Sequence, residues 1–398
     1  MDCVIVEALR TPIGRFKGAL SRMSAVELGT VVGRAILSMI DIEKRDVNEV
    51  IMGTVLSANQ GQAPARQVAL KMGLPETCSA STVNKVCGSG MKAVMMACDH
   101  IRLKQGDCYF AGGMESMSQA PFLLANDREG LRFGELPETL STAVLDHMIQ
   151  DGLMDANSSK EELMGVQADL TAQKHHVSRQ DQDMYALESL RRAQSAYKEN
   201  LFQREIVPLH LKLPSQDVEL DHDEELDYAK PEKILQLKPA FSKEGTITAG
   251  NASSLADGAA MLFIVSADYA HQHHLPIRAY VRGATQSACA PIDFTTAPVQ
   301  SISTLLSQLS WSVEDIDLFE INEAFASVPL LAMKELGIKS DKVNVNGGAC
   351  ALGHPLAASS ARIIVTLLNV LEQRGLKKGI ASACIGGGES TSIAIERP

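Results

Sequence analysis

The chain of 398 residues writes one arrangement of motifs twice, and this repeat limits the fold more than any other feature. In the first copy a helical pattern ending near Met39 leads through Asp46-Val47 into the strand-like run EVIMGTV. VNKVCGSGMKA and a long helical stretch follow, and the copy ends at Gly112-Gly113-Met114-Glu115-Ser116. In the second, a helical pattern ending near Leu309 leads through Asp315-Ile316 into DLFEINEAF. VNVNGGACALGHPLAASSAR and another long helix follow, and the end is Gly386-Gly387-Gly388-Glu389-Ser390. Helix and strand signals alternate in both, so each copy reads as an α/β unit with a sheet covered by helices. Two such units packed about a pseudo-twofold axis bring their strand-to-helix loops together. A cleft shared by both is then the expected place for a site.

Residues 1–118 place β-prone runs at Val4–Ala8, Glu49–Val55, Ser79–Val83 and Asp107–Gly112, with a helix over Met23–Ile40. From about 119 to 248 the character changes. Phe122–Gly134 is irregular, and Glu162–Asn200 reads as two polar helices with Ser178 as a cap candidate. Seven carboxylates between Asp217 and Asp227 read as a solvated loop rather than a metal site. Regular patterning returns at Thr246–Ser253, and Asp257–Ala267 reads as a buried strand. The expected division is 1–118 with 249–270, an insertion over 119–248, and a second half over 271–398.

Within Ser81–His100, Met91, Val94, Met95, Cys98 and Ile101 recur every three or four residues, marking the apolar face of a helix that starts just after Cys87-Gly88-Ser89-Gly90. Cys87 then sits at a helix N-terminus, where free N–H groups and the helix dipole favour an anion, so a lowered thiol pKa is expected. The second copy supplies three further candidates. His354, between Gly353 and Pro355, is suited to accept the thiol proton of Cys87. Cys384, at a strand end before three glycines, is a second reactive thiol, and glycines such as Gly386 let backbone N–H groups line an oxyanion hole. Asn322 offers an amide that does not titrate, suited to holding a water or a carbonyl oxygen. The remaining histidines, including His175-His176 and His273-His274, read as surface residues.

A formal net charge of -11 leaves no basic field to attract phosphates, which argues against non-specific nucleic-acid binding. Eight cysteines without a C-x-x-C pair suggest neither a disulfide framework nor a zinc site, and a reducing compartment. MDCVIVEALRTP lacks the layout of a signal peptide, and no apolar run reaches membrane-span length. A soluble cytoplasmic protein without a membrane partner is expected. No P-loop, G-x-G-x-x-G or H-E-x-x-H occurs, so nucleotide hydrolysis, dinucleotide redox and zinc proteolysis lose support.

VCGSGMKA, AGGMESMS, TAGNASSLADGAA, NEAFA, GGACALGHP and CIGGG, in this order, resemble the thiolases over essentially the whole chain. Within that family the resemblance is to the biosynthetic acetyl-CoA acetyltransferase type. It implies two duplicated halves in a five-layered α-β-α-β-α sandwich, with the insertion as a loop domain that holds coenzyme A. It also implies that Cys87, activated by His354, takes an acetyl group from acetyl-CoA. Cys384 then removes a proton from a second acetyl-CoA, and a Claisen condensation gives acetoacetyl-CoA; the reverse cleaves 3-ketoacyl-CoA. One oxyanion hole would use His354 and a water held by Asn322, the other the N–H groups of Cys87 and Gly386. By the same resemblance Ser253 lies by the pantetheine arm, Met164 and Phe241 line the acyl and pantetheine channel, and Ala324 joins these contacts. Acyl-CoA and CoA would be the partners, with no further cofactor and no metal, in a homodimer or homotetramer.

The chain departs from the family at several points. Ala357 and Ser360 stand where glycines are usual, implying less room around that helix, and Glu389-Ser390 replaces Gln-Gly after CIGGG. Leu163 stands where short-chain members often carry His, which loosens the case for strict acetyl selectivity. No counterpart of an Arg near the CoA adenine is found around Asp227–Lys230. Two other readings are a degradative 3-ketoacyl-CoA thiolase of wider chain length and a catalytically silent acyl-CoA-binding protein. The presence of both cysteines and His354 argues against the second. A condensing enzyme of fatty-acid synthesis would carry another His in place of Asn322.

Overall fold

The structure is a computed structural model that describes residues 2–124, 144–157, 162–212 and 217–398. Among them, nine strands join in the order Leu318–Ile321, Lys378–Ile385, Glu389–Glu396, Ala279–Ala288, Cys3–Arg10, Ala256–Ser266, Cys108–Ser116, Glu49–Gly53, Ser79–Val83. Read outward from the middle, each side uses its strands in the same chain order: first, fifth, fourth, second, third. On the second side the third strand is reduced to one parallel bridge, Phe319 to Val343. The two sides meet where Cys3, Val4 and Ile5 pair antiparallel with Val281, Tyr280 and Ala279. The duplication legible in the motifs is therefore a duplication of topology.

Helices Ser89–Arg102 and Leu356–Gln373 form the middle layer and pack on each other and on strands of both copies. The second is buried from Leu356 through Leu371, as a helix covered on every side must be. All five residues of the face expected on the first are buried: Met91, Val94, Met95, Cys98 and Ile101. Helices Ala25–Met39 and Pro64–Lys71 cover the outer face of the first copy, and Ala297–Leu309 and Ser327–Leu336 that of the second. The result is five layers, α-β-α-β-α. Ser24 and Glu27 close a capping box at the start of Ala25–Met39, which stops the helix two residues inside the predicted start. A side chain at Gly90 or Gly113 would run into the Ala357 carbonyl oxygen, so these glycines admit the second central helix to the seam.

The chain leaves the sheet after Ser116 and rejoins it at Ala256. In between, Met164–Lys174 and Arg179–Lys198 are the two polar helices expected, the second begun by the Ser178 cap. Of the stretch expected to be irregular, Phe122–Leu124 is a short strand paired with Val144–Asp146, and 125–134 lies outside the described residues. The acidic run corrects the expectation of a solvated loop in part: Asp217, Glu219, Asp221 and Asp227 are exposed, but Asp223 and Glu224 turn inward. Asp223 is buried and accepts from Arg10 Nη1 and Nη2 at 2.7 and 3.0 Å and from Ile13 N–H at 2.7 Å. Glu224 takes the N–H groups of Arg15 and Ala19. Arg10 lies more than two hundred positions away along the chain, so local charge pattern could not reveal it.

Candidate active site

The strand Ser79–Val83 hands the chain to a tight turn before helix Ser89–Arg102. Lys85 N–H donates to Ser89 Oγ at 2.8 Å, and that hydroxyl donates to Val86 O at 2.7 Å. The turn holds Val86 at φ +45°, a strained conformation for a β-branched residue, immediately before Cys87. Gly386 N–H donates to the Cys87 sulfur, yet burial pushes the thiol up to about 11, with the nearby Glu115 adding in the same direction. The lowered pKa expected from the helix start is thus overturned. The N–H groups are present, but removal from water outweighs them.

His354 comes from the loop before the second central helix, its N–H donating to Ser254 O at 3.0 Å. Its Nδ1 lies 2.5 Å from Ser359 Oγ, which donates its own proton to Pro355 O at 3.0 Å. Ser359 must therefore accept from Nδ1–H, which leaves the lone pair on Nε2, and Nε2 has no hydrogen-bond partner. Burial, aided by the charge of Arg362, lowers the imidazole pKa to about 3. His354 is therefore neutral with its Nε2 lone pair free, and burial opposes its protonation except beside a developing negative charge.

Cys384 is the penultimate residue of the strand Lys378–Ile385, its thiol pushed up by burial and by the neighbouring Cys87. The turn after it places Gly387 at φ +89° and Gly388 at +86°, which only glycine adopts freely. Asn322 is 0% exposed, its N–H bound to Ser382 O at 2.9 Å, and neither its amide oxygen nor its nitrogen has a partner. Beside it, the Glu323 carboxylate is held by Tyr185, Ser189, Asn344 and Cys350 N–H.

Cys87, His354, Cys384 and Gly386 open on one cavity of about 280 Å³, from both copies of the repeat. Met164, Phe241, Ser253 and Ala324 line it as well, and both N–H and Oγ of Ser253 donate to Ala324 O at 3.0 Å. Asn322 is not among the lining residues, so its amide reaches the cavity only through a bridging water. Met117, Met148, Leu153 and Leu356, which the sequence did not single out, complete an apolar wall of the cavity together with Leu163, the departure noted from the sequence. One histidine read as a surface residue is not one. His147 is buried, with Nδ1 2.8 Å from Asp151, just before the lining residue Met148.

The departures find partners too. Glu389 is held by Lys85 Nζ at 2.7 Å, and Ser360 Oγ accepts Met91 N–H at 3.0 Å. Ser359, Glu115 and Glu323 were missed as supporting residues. Glu115 and Glu323 lie inside the motifs AGGMESMS and NEAFA with partners distant in the chain, and Ser359 lies four residues after Pro355.

The chain matches the description "Thiolase, N-terminal domain" over residues 3–268 and "Thiolase, C-terminal domain" over 275–397. It is 44% identical over 400 residues to an acetyl-CoA acetyltransferase of Chromobacterium violaceum, covering all of both chains. It is also 44% identical to acetyl-CoA acetyltransferase 2 of Arabidopsis thaliana, over 99% of this chain and 97% of that one. Among solved structures, a thiolase of Ascaris suum in complex with coenzyme A superposes with a TM-score of 0.91 at 40% identity, covering all of both chains. Human mitochondrial 3-ketoacyl-CoA thiolase superposes with a TM-score of 0.94 at 36% identity, over all of this chain and 99% of that one. With both domain matches and full-length relatives of this identity, the chain belongs to the thiolase family.

Proposed function

We propose that the protein is an acetyl-CoA C-acetyltransferase, joining two acetyl-CoA to acetoacetyl-CoA and CoA through an acetyl-cysteine. One observation carries this reading: two thiols and a neutral imidazole, contributed by both copies of the repeat, meet on one apolar cavity with the Gly386 N–H aimed at the Cys87 sulfur. Cys87 gives its proton to His354 Nε2 as its sulfur attacks the thioester carbonyl, and the N–H groups of Cys87 and Gly386 hold the oxyanion. The departing CoA sulfur takes the proton from His354. For the second half, Cys384 passes its thiol proton to His354 and, as thiolate, removes a proton from the methyl group of the next acetyl-CoA. The imidazolium and a water on Asn322 face the enolate oxygen. The enolate carbon attacks the acetyl-cysteine, and the released Cys87 thiolate recovers the proton from His354. Each donor at the enolate is worth about 3 kcal/mol.

Both unpaired amide atoms of Asn322 support the water, because buried polar atoms otherwise remain unsatisfied. Coenzyme A enters as substrate, and every proton transfer above uses the chain's own groups. The apolar wall of Met148, Leu153 and Leu163 supports a second reading, cleavage of longer 3-ketoacyl-CoA. Steady-state thiolysis separates them. We expect the highest kcat/KM with acetoacetyl-CoA, and a medium-chain 3-ketoacyl-CoA cleaved at an equal or higher value would put the second reading first.

The same reading takes residues 119–248 as a loop domain inserted between halves 1–118 with 249–270 and 271–398, in a cytoplasmic homodimer or homotetramer. The assembly is supported by the strand Ser79–Val83, which among the described residues ends the sheet with its outer edge unpaired and its residues partly exposed.

A further inference from the structure

Helix Ser89–Arg102 starts behind Cys87 and helix Leu356–Gln373 starts behind His354, and neither receives a side-chain cap from its own N-cap residue. Free N–H groups at a buried helix start need acceptors. Each helix finds one on the other copy of the repeat. Ser360 Oγ, from the first turns of Leu356–Gln373, accepts Met91 N–H at 3.0 Å. Glu115, from the strand Cys108–Ser116, accepts Ala357 N–H at 3.0 Å. The same carboxylate holds Val55 and Leu56 N–H at 3.1 Å each and the Thr54 hydroxyl at 3.3 Å. Both side chains are 0% exposed and neither lines the cavity.

We propose that Glu115 and Ser360 are positioning residues for acyl transfer: each fixes the start of the helix behind the other copy's catalytic side chain, and together they set the Cys87 sulfur against His354 Nε2. The proposal rests on the thiolase reading above. Burial raises the Glu115 carboxyl to about 7 against the four donors that favour its charged form, and those four bonds leave the side chain little freedom. The charge of Glu115 disfavours the Cys87 thiolate, so activating the thiol is not its role and placement remains. Proton transfer from sulfur to nitrogen depends steeply on that placement.

The test compares Ser360→Ala with Ser360→Gly in the full chain. Alanine leaves Met91 N–H facing a methyl group, whereas glycine opens room for a water that restores the acceptor. Helix propensity ranks alanine above glycine, so a merely structural role would make the alanine variant the more stable and at least as active. We expect single-turnover acetylation of Cys87, followed by intact mass, to fall about tenfold in Ser360→Ala with an unchanged KM for acetyl-CoA. Ser360→Gly should acetylate within about twofold of the parent while melting at a lower temperature. Glu115→Gln should lose about tenfold or more per folded site, again at constant KM. A folded Glu115→Gln that acetylates at the parent's rate overturns the role of Glu115, and the serine pair tests Ser360 independently of that variant. Acetylation in Ser360→Ala as fast as in the parent, or slower in Ser360→Gly than in Ser360→Ala, overturns the proposal. A parent protein that takes no acetyl group on Cys87 overturns the thiolase reading itself, and the positioning role with it.

Discussion

Cys87 and Cys384 share a cavity wall but differ in what surrounds the sulfur. Cys87 has the Gly386 N–H, whereas Cys384 is buried deeper and is raised further by Cys87 itself. Cys87→Ala should therefore abolish the acetyl adduct. Cys384→Ala should still be acetylated at Cys87 but lose turnover by about a thousandfold or more, because only the second step is blocked. Equal loss of acetylation in both variants would contradict this division of labour. The raised Cys87 pKa gives a second outcome. Alkylation by iodoacetamide needs the thiolate, and below a pKa of about 11 the thiolate fraction grows about tenfold per pH unit. The alkylation rate of the free protein should rise with pH through 9, and a plateau beginning near 7 would contradict it. At this scale the reacting residues were legible, because each is set among glycines or in a short motif where few side chains can do chemistry. Their electrostatics were not. The Cys87 pKa depends on burial by Met117, Leu255 and Leu356, which arrive from elsewhere in the chain.

Helix Leu356–Gln373 carries the middle layer, and its buried residues touch both copies of the sheet. Leu367, 0% exposed, should cost about 2 to 5 kcal/mol when cut to alanine, measured by denaturant unfolding at constant m. Gly113→Ala should also destabilise, by about 1 to 3 kcal/mol, because the added methyl meets the Ala357 carbonyl. It should lower acetylation as well, since Ala357 is the residue that Glu115 holds. A Gly113→Ala variant with the parent's stability and rate would refute the tight seam. Element positions were readable where periodicity and caps agreed, as at Ser24 and Ser178. The acidic run was misread because Asp223 is drawn inward by Arg10, a partner no local window contains.

For the whole molecule, the repeated motifs foretold a repeated topology, down to the same outward order of strands in both copies. What they could not foretell was the hydrogen bonding across the seam, since Glu115 meets Ala357 and Ser360 meets Met91 only once the copies are packed. If the open edge of Ser79–Val83 is an assembly surface, light scattering in solution should give two or four times 42.8 kDa. A mass of 42.8 kDa would refute it. The central claim is that the two copies build one site in which Cys87 becomes acylated. Intact mass after mixing with acetyl-CoA, followed by peptide mapping, tests it most directly. The account predicts a single acetyl adduct on Cys87 that disappears on adding CoA. No adduct, or one on another residue, would contradict it.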